Sequence, residues 1–289
     1  MKNSLLLLML CSSLLSMAQG GESEIYIMNV STTDSIFPIS NFRNASQNPG
    51  YDNQPYFIDN STILYARTNK GATDIVVQDT ETLRSQWKYA ATPGGEYSPQ
   101  SIPNTKKVAA VRLDPSGLQR LYAYEENGAV SEIITDIQVA YFAFVDKNKL
   151  LATVLSDDRL DLTMIDVKQQ QTDTLLINAG RSIHKIPNTN AMSYTVKNEE
   201  DKFDVFQLDL KDMESYFICE LPVGIQDYAW IDESRLLIGS NASLFVYDSF
   251  GKQSWEKVAD LSEYMIENIT RITVSPNGKQ IALVAEAKE

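Results

Sequence analysis

One seven-residue pattern recurs six times along this chain, and a repeat at that spacing leaves few folds open. The copies are EIYIMNV at 24–30, DIVVQDT at 74–80, RLYAYEE at 120–126, DLTMIDV at 161–167, DVFQLDL at 204–210 and SLFVYDS at 243–249. Each has a polar start, an apolar and aromatic run, and an amide or acid five positions on: Asn29, Asp79, Glu125, Asp166, Asp209 and Asp248. A short carboxylate or amide at a strand end can cap the N–H groups of the following turn. Successive copies are 50, 46, 41, 43 and 39 residues apart, which is the period of a propeller blade.

Between these copies lies a second set of runs, at 63–67, 108–113, 150–155, 192–197, 236–240 and 281–286. They are too short and too β-branched for helices and stand close to turn formers such as Asp59-Asn60, Asp146-Lys147-Asn148 and Pro276-Asn277-Gly278. Ahead of each turn a further short strand is expected, at 55–58, 99–102, 141–145, 182–186, 228–231 and 271–275. A fourth, more polar strand follows each signature copy, as at 35–39 and 172–177. The fold class expected is all-β: a six-bladed β-propeller of four-stranded blades. A β-sandwich with an appended domain would not explain six matched periods.

The two chain ends complement each other. The first period has a signature strand and an outer strand, whereas the last has inner strands near 271 and 281 and nothing beyond. Joining them makes one blade, in which N-terminal outer strands pair with C-terminal inner strands and the ring closes.

Residues 1–18 read as a signal peptide, with Lys2 and Asn3, an apolar run from Leu5 toward Leu15 and a small-x-small site at Ser16-Met17-Ala18. Residues 19–289 then form a single propeller domain. Cys11 lies where a lipoprotein acceptor would, but bulky Leu10 precedes it. After cleavage Cys219 is alone, no internal disulfide forms, and Cys219 is expected as a buried strand residue. Five Asn-x-Ser/Thr sequons, at Asn29, Asn44, Asn60, Asn241 and Asn268, are read as turn residues. With 38 acidic against 25 basic residues the formal charge is −13, which argues against nucleic acid as a partner. No other stretch is long and apolar enough for a transmembrane segment. The protein is expected as an exported monomer, in the periplasm or at the cell surface of a bacterium.

Asn48-Pro49-Gly50-Tyr51-Asp52-Asn53-Gln54-Pro55-Tyr56-Phe57 with Ile58-Asp59-Asn60 resembles the blade motif of TolB-like (PD40, WD40-like) propellers. Gly94-Gly95-Glu96-Tyr97-Ser98-Pro99 and Ser275-Pro276-Asn277-Gly278-Lys279 are similar to two further copies. The resemblance covers 24–286, although the middle repeats keep Asp146 and Asp232 and lose the Ser-Pro-Asp-Gly turn. It implies that the central channel mouth receives a partner protein. TolB itself carries an additional N-terminal α/β domain, and about five residues before the first strand leave no room for one here.

His184 is the one histidine, so it cannot supply the several histidines of a metal-holding propeller lyase. No Gly-x-Ser-x-Gly elbow is present, and His184 is expected as a hydrogen-bonded structural or channel residue. No cofactor or metal is expected. Because every inner strand starts at one rim, the residues there should converge. They are Asp52, Asn53, Glu96, Tyr97, Tyr141, Arg181, His184, Gln226, Asp227, Tyr228 and Arg271. Tyrosine and arginine are common anchors in protein recognition, so this mouth reads as a binding surface for an envelope protein or peptide. The alternative is a hydrolase or lyase acting on a sugar or peptide with channel carboxylates and His184.

Overall fold

The structure, a computed structural model, describes residues 22–288, so the expected signal peptide and Cys11 lie outside the described residues. Apart from one short 3-10 turn at Ser262–Tyr264, the regular secondary structure of the described residues is all strand. In chain order the strands are β1 (Glu24–Val30), β2 (Ile39–Asn44), β3 (Asp52–Phe57), β4 (Thr62–Asn69), β5 (Ala72–Asp79), β6 (Ser85–Trp87), β7 (Gly95–Ser101) and β8 (Val108–Leu113). There follow β9 (Gln119–Tyr124), β10 (Val130–Glu132), β11 (Val139–Phe144), β12 (Lys149–Ser156), β13 (Arg159–Asp166), β14 (Gln171–Leu176), β15 (Ala179–Lys185) and β16 (Ala191–Lys197). The last eight are β17 (Phe203–Asp209), β18 (Ser215–Glu220), β19 (Ala229–Trp230), β20 (Arg235–Ser240), β21 (Ser243–Asp248), β22 (Glu256–Asp260), β23 (Ile266–Val274) and β24 (Gln280–Ala287).

Four sheets have four strands each: β11 to β14, β15 to β18, β19 to β22, and a closing sheet ordered β2-β1-β24-β23. The other eight strands share one sheet, in which β3 to β6 and β7 to β10 are joined only at Thr73 and Gly95. That junction depends on glycine. Gly94 has φ +132°, and a Cβ there would lie 2.5 Å from the Leu113 carbonyl oxygen.

The signature copies form the third strand of each group, and four of their terminal acids cap turns as expected. Asp79 accepts from the N–H groups of Glu81 and Thr82, Asp166 from Gln169, Asp209 from Lys211, and Asp248 from Phe250 and Gly251. Glu125 instead pairs with Lys107 at 2.7 Å, and Asn29 accepts from the Gln280 amide. The inner hairpins use the same device at Asp59, Asp146, Asp232 and Asn277.

One outer strand is displaced from its expected place at 35–39. Phe37 donates its N–H to the Val258 carbonyl at 2.8 Å and is buried against the neighbouring sheet, so strand β2 starts only at Ile39. Inner strands β3 and β7 start earlier than expected, because they run through their prolines by way of bulges, whereas β19 starts one residue later than expected, at Ala229. Gln54 (φ 60°) and Ser98 (φ 52°) sit immediately before Pro55 and Pro99. A bulge leaves unpaired the position where proline has no N–H to give.

Six apolar clusters lie between neighbouring groups of four strands and none at a single centre. The closing sheet is packed on both faces. Ile25, Ile27, Ala282 and Val284 meet Phe57, Ile63, Tyr65 and Val76 on one side. Tyr26, Met28 and Leu283 meet Leu237, Leu244 and Val258 on the other. Cys219 is buried in a third cluster, and burial pushes its thiol up to about 12, as an inert strand residue should behave.

Ile25 is fully buried at the closure, whereas Val130 on outer strand β10 is 41% exposed. Ile25→Ala should cost about 2–5 kcal/mol, the range for large-to-small core changes. Val130→Ala should cost about 0.5 kcal/mol or less. Urea denaturation of both variants measures the contrast, and equal losses would mean that the closure is not carried by this packing.

Candidate functional site

The inner strands β3, β7, β11, β15 and β23 each carry a bulge in their pairing with the second strand. A bulge re-aims the side chains around it. Here the bulges accompany a cluster drawn from segments more than 200 residues apart: Tyr51, Tyr97, Tyr141, Arg181, Asp227 and Arg271. The Tyr51 and Tyr97 rings meet edge to face at 6.4 Å. The Arg271 guanidinium lies over the Tyr141 ring at 5.8 Å from its centroid and 4.0 Å from Asp227 Oδ1. Arg181 reaches past the β19 segment to donate from Nη2 to the Thr270 carbonyl at 3.2 Å. Asp227 Oδ1 accepts from Ser182 Oγ at 2.8 Å, and the same hydroxyl stands 2.6 Å from the Gln226 carbonyl.

Charge in this cluster is poorly shielded. Desolvation pushes Tyr51 up to about 12 despite the nearby Arg271 and Arg181. Arg181 is held below the ordinary arginine value by burial and then by repulsion from Arg271. For Arg271 burial works the same way, but Asp227, Tyr141 and Tyr51 outweigh it and raise the guanidinium.

His184 stands deeper, on β15, its ring 4.6 Å from that of Tyr228 in an edge contact. Its Nε2 is buried without a hydrogen-bond partner. Tyr228 and Trp230 both donate to Ser193 Oγ at 2.8 Å, forming a buried polar knot beneath the cluster. Burial holds His184 below its ordinary value, with Asp227 opposing and Arg271 assisting.

Two expected mouth acids are turned away from the channel. Asp52 is completely buried, bonded by Arg67 Nε at 2.7 Å and by the Asn48 amide at 3.1 Å. Its backbone joins Ser23, so the Asn48-to-Asp52 motif clasps the start of β1. Glu96 occupies the equivalent position in β7, where it accepts from Tyr124 Oη at 3.1 Å and from Thr92. Burial and then Asp74 push its carboxyl up. Both residues sit where an inward-pointing carboxylate must find a partner within the sheet. Asn53 spends its side-chain oxygen on the Gln54 N–H at 2.8 Å, and Gln226 is exposed at the rim. Tyr51 was missed from sequence; the signal available was its place between Gly50 and the start of an inner strand.

A second concavity lies at the opposite end of the strands, on the seam between the closing sheet and the β3–β4 turn. It measures about 680 Å³ and is lined by polar residues including Asn29, Thr33, Asn60 and Lys279. Among the described residues no group of three His, Cys, Asp or Glu side chains could hold a metal ion, and no helix is long and apolar enough to cross a membrane.

His184 is the one histidine, and the ordinary value of an imidazole, about 6.5, lies close to neutrality. Its folded value is depressed, so the unfolded chain takes up the proton first; its contribution is complete above about pH 6.5 and declines as pH falls toward the folded value. Between about pH 8 and about pH 5, the wild type should therefore lose more thermal stability than His184→Gln. Parallel melting curves for the two proteins across that range would contradict this.

No family model matches the chain, and no curated protein matches its sequence. Solved structures do match in fold. The putative TolB from Agrobacterium tumefaciens aligns with a TM-score of 0.67 at 12% identity, covering 92% of this chain and 98% of that one. TolB from Acinetobacter baumannii aligns at 0.60 and 10% identity, over 97% and 69%. An oligogalacturonate lyase in complex with manganese aligns at 0.53 and 13% identity, over 86% and 80%. Identities this low speak for the fold alone. In fold this chain is a β-propeller of the kind that TolB displays.

Proposed function

We propose that this protein is an exported, six-bladed propeller that works as a protein or peptide interaction module through its channel mouth, in the bacterial periplasm or at the cell surface. The blade count treats the eight-stranded sheet as two blades. One backbone pairing joins its halves, and between them lies a cluster of Leu64, Ile75, Val108, Ala110 and Tyr124 like those separating the other sheets. Export rests on the reading of residues 1–18 as a leader.

The observation that carries the functional reading is the convergence of three tyrosines, two arginines and Asp227 at the start of the inner strands. Aromatic rings offer large contact area with few rotatable bonds, and arginine adds directional donors, which is the composition of an interface anchor. Exposed Gln226 and Thr270 give the cluster a polar rim. The catalytic alternative needs acids beside His184. Asp227 is the acid whose charge reaches it, while Asp52 and Glu96 are engaged with Arg67 and with Thr92 and Tyr124. That distribution favours binding.

The test compares proteins captured from bacterial envelope extract by the wild type and by a Tyr97→Ala, Arg181→Ala double variant whose melting temperature is checked first. Specific partners should fall about tenfold or more in yield, as loss of an aromatic and an arginine anchor implies. Equal recovery by both proteins would place the interaction elsewhere or remove it.

A further inference from the structure

We propose, resting on the channel-mouth reading, that the group this mouth holds is a carboxylate, received between the guanidinium groups of Arg181 and Arg271. Three arginines elsewhere in the molecule set the contrast; Arg43, by comparison, gives its Nη groups to the Glu81 and Thr80 carbonyls and leaves its buried Nε without a partner. Arg67 meets Asp52 at 2.7 Å, Arg235 meets Asp232 at 2.7 Å, and Arg159 meets both oxygens of Asp161 at 2.8 and 3.2 Å. The two channel arginines have nothing comparable. Arg271 comes no closer than 4.0 Å to Asp227, whose Oδ1 already accepts from Ser182. Arg181 uses Nη2 on the Thr270 carbonyl, and its buried Nε has no hydrogen-bond partner.

A guanidinium offers five N–H donors in a fork that fits a carboxylate, and an unsatisfied buried donor is costly. Two cations against the one Asp227 carboxylate leave a surplus positive charge, in a chain whose formal charge is −13. Repulsion from Arg271 is among the causes that lower Arg181, so an arriving anion would relieve both. Tyr51, Tyr97 and Tyr141 wall the cluster, and aromatic walls strengthen an ion pair by keeping water away. A carboxylate of this kind could belong to a peptide C-terminus, to an acidic side chain, or to a uronate sugar. The shared chemistry is what the arginines read.

Calorimetric titration of the wild-type chain with four probes separates these sources: acetyl-glycyl-glycyl-phenylalanine, its C-terminal amide, acetyl-glutamate amide, and galacturonate. At least one carboxylate probe should bind, and the tripeptide acid should bind about tenfold more tightly than its amide, as loss of a charge-assisted hydrogen bond implies. Arg181→Gln and Arg271→Gln should each weaken the bound carboxylate by about tenfold or more, while Asp227→Asn should tighten it several-fold by removing the internal competitor. The acid-against-amide comparison uses the unaltered protein, so it decides even if a variant fails to fold. Binding of the tripeptide with the same affinity as acid and as amide, or no binding of any carboxylate, overturns the proposal. If carboxylates fail but envelope partners are still lost in the Tyr97 and Arg181 double variant, the interaction module stands without this anchor. If galacturonate alone binds, the carboxylate site stands and the peptide reading falls.

Discussion

The pairing of β1 with β24 is the contact on which the remainder of this molecule depends. Six consecutive register pairs, from Glu24 with Ala285 to Asn29 with Gln280, tie the two ends of the chain into one sheet. Without them two strand edges would be open, and the apolar faces of β1 and β24 would lose the clusters on both sides. No disulfide supports the closure among the described residues, where Cys219 is free. The seam is instead reinforced by polar clasps: Gln280 accepts from Thr80 and donates to Asn29, and Asn60 accepts from the Asn277 N–H.

Closure also decides where the chemistry sits. A ring of sheets sends every inner strand toward one axis, so Tyr51 and Arg271 become neighbours although more than 200 residues of chain separate them. Bulges then turn side chains that a regular ladder would direct into the neighbouring sheets. The outcome is a cationic, aromatic cluster at the centre of an acidic protein, a placement that favours steering of an anionic group to the axis over attraction across the whole surface.

The recurrent motif illustrates how family-like residues divide between support and function. In Asn48-Pro49-Gly50-Tyr51-Asp52, the Asn48 amide bonds the Asp52 carboxylate, Gly50 adopts φ 115°, and Asp52 anchors Arg67, which in turn reaches the Ser46 carbonyl. All of these hold β1 against β3. Only Tyr51 joins the channel cluster. Acids at inner-strand starts suggested a polar rim, yet Asp52 and Glu96 point into the sheets because their bulged strands alternate the other way. His184 packs edge-on against Tyr228, and its buried Nε2 has no hydrogen-bond partner, so packing and not hydrogen bonding holds the ring.

What the sequence determined by itself was local and periodic. The apolar runs specify strands, the terminal aspartates of four signature copies specify turns, and the complementary first and last periods specify a sheet shared by both ends. These follow from interactions spanning a few residues, or from a pattern repeated often enough to reveal its period. Only the tertiary structure decided which inner-strand side chains face the axis, that the Phe37 bond to Val258 moves β2 to Ile39, and that Arg181 and Arg271 share one acid. Facing depends on bulges of only one or two residues, and charge balance depends on distances between strands from different sheets. Neither leaves a periodic trace along the chain.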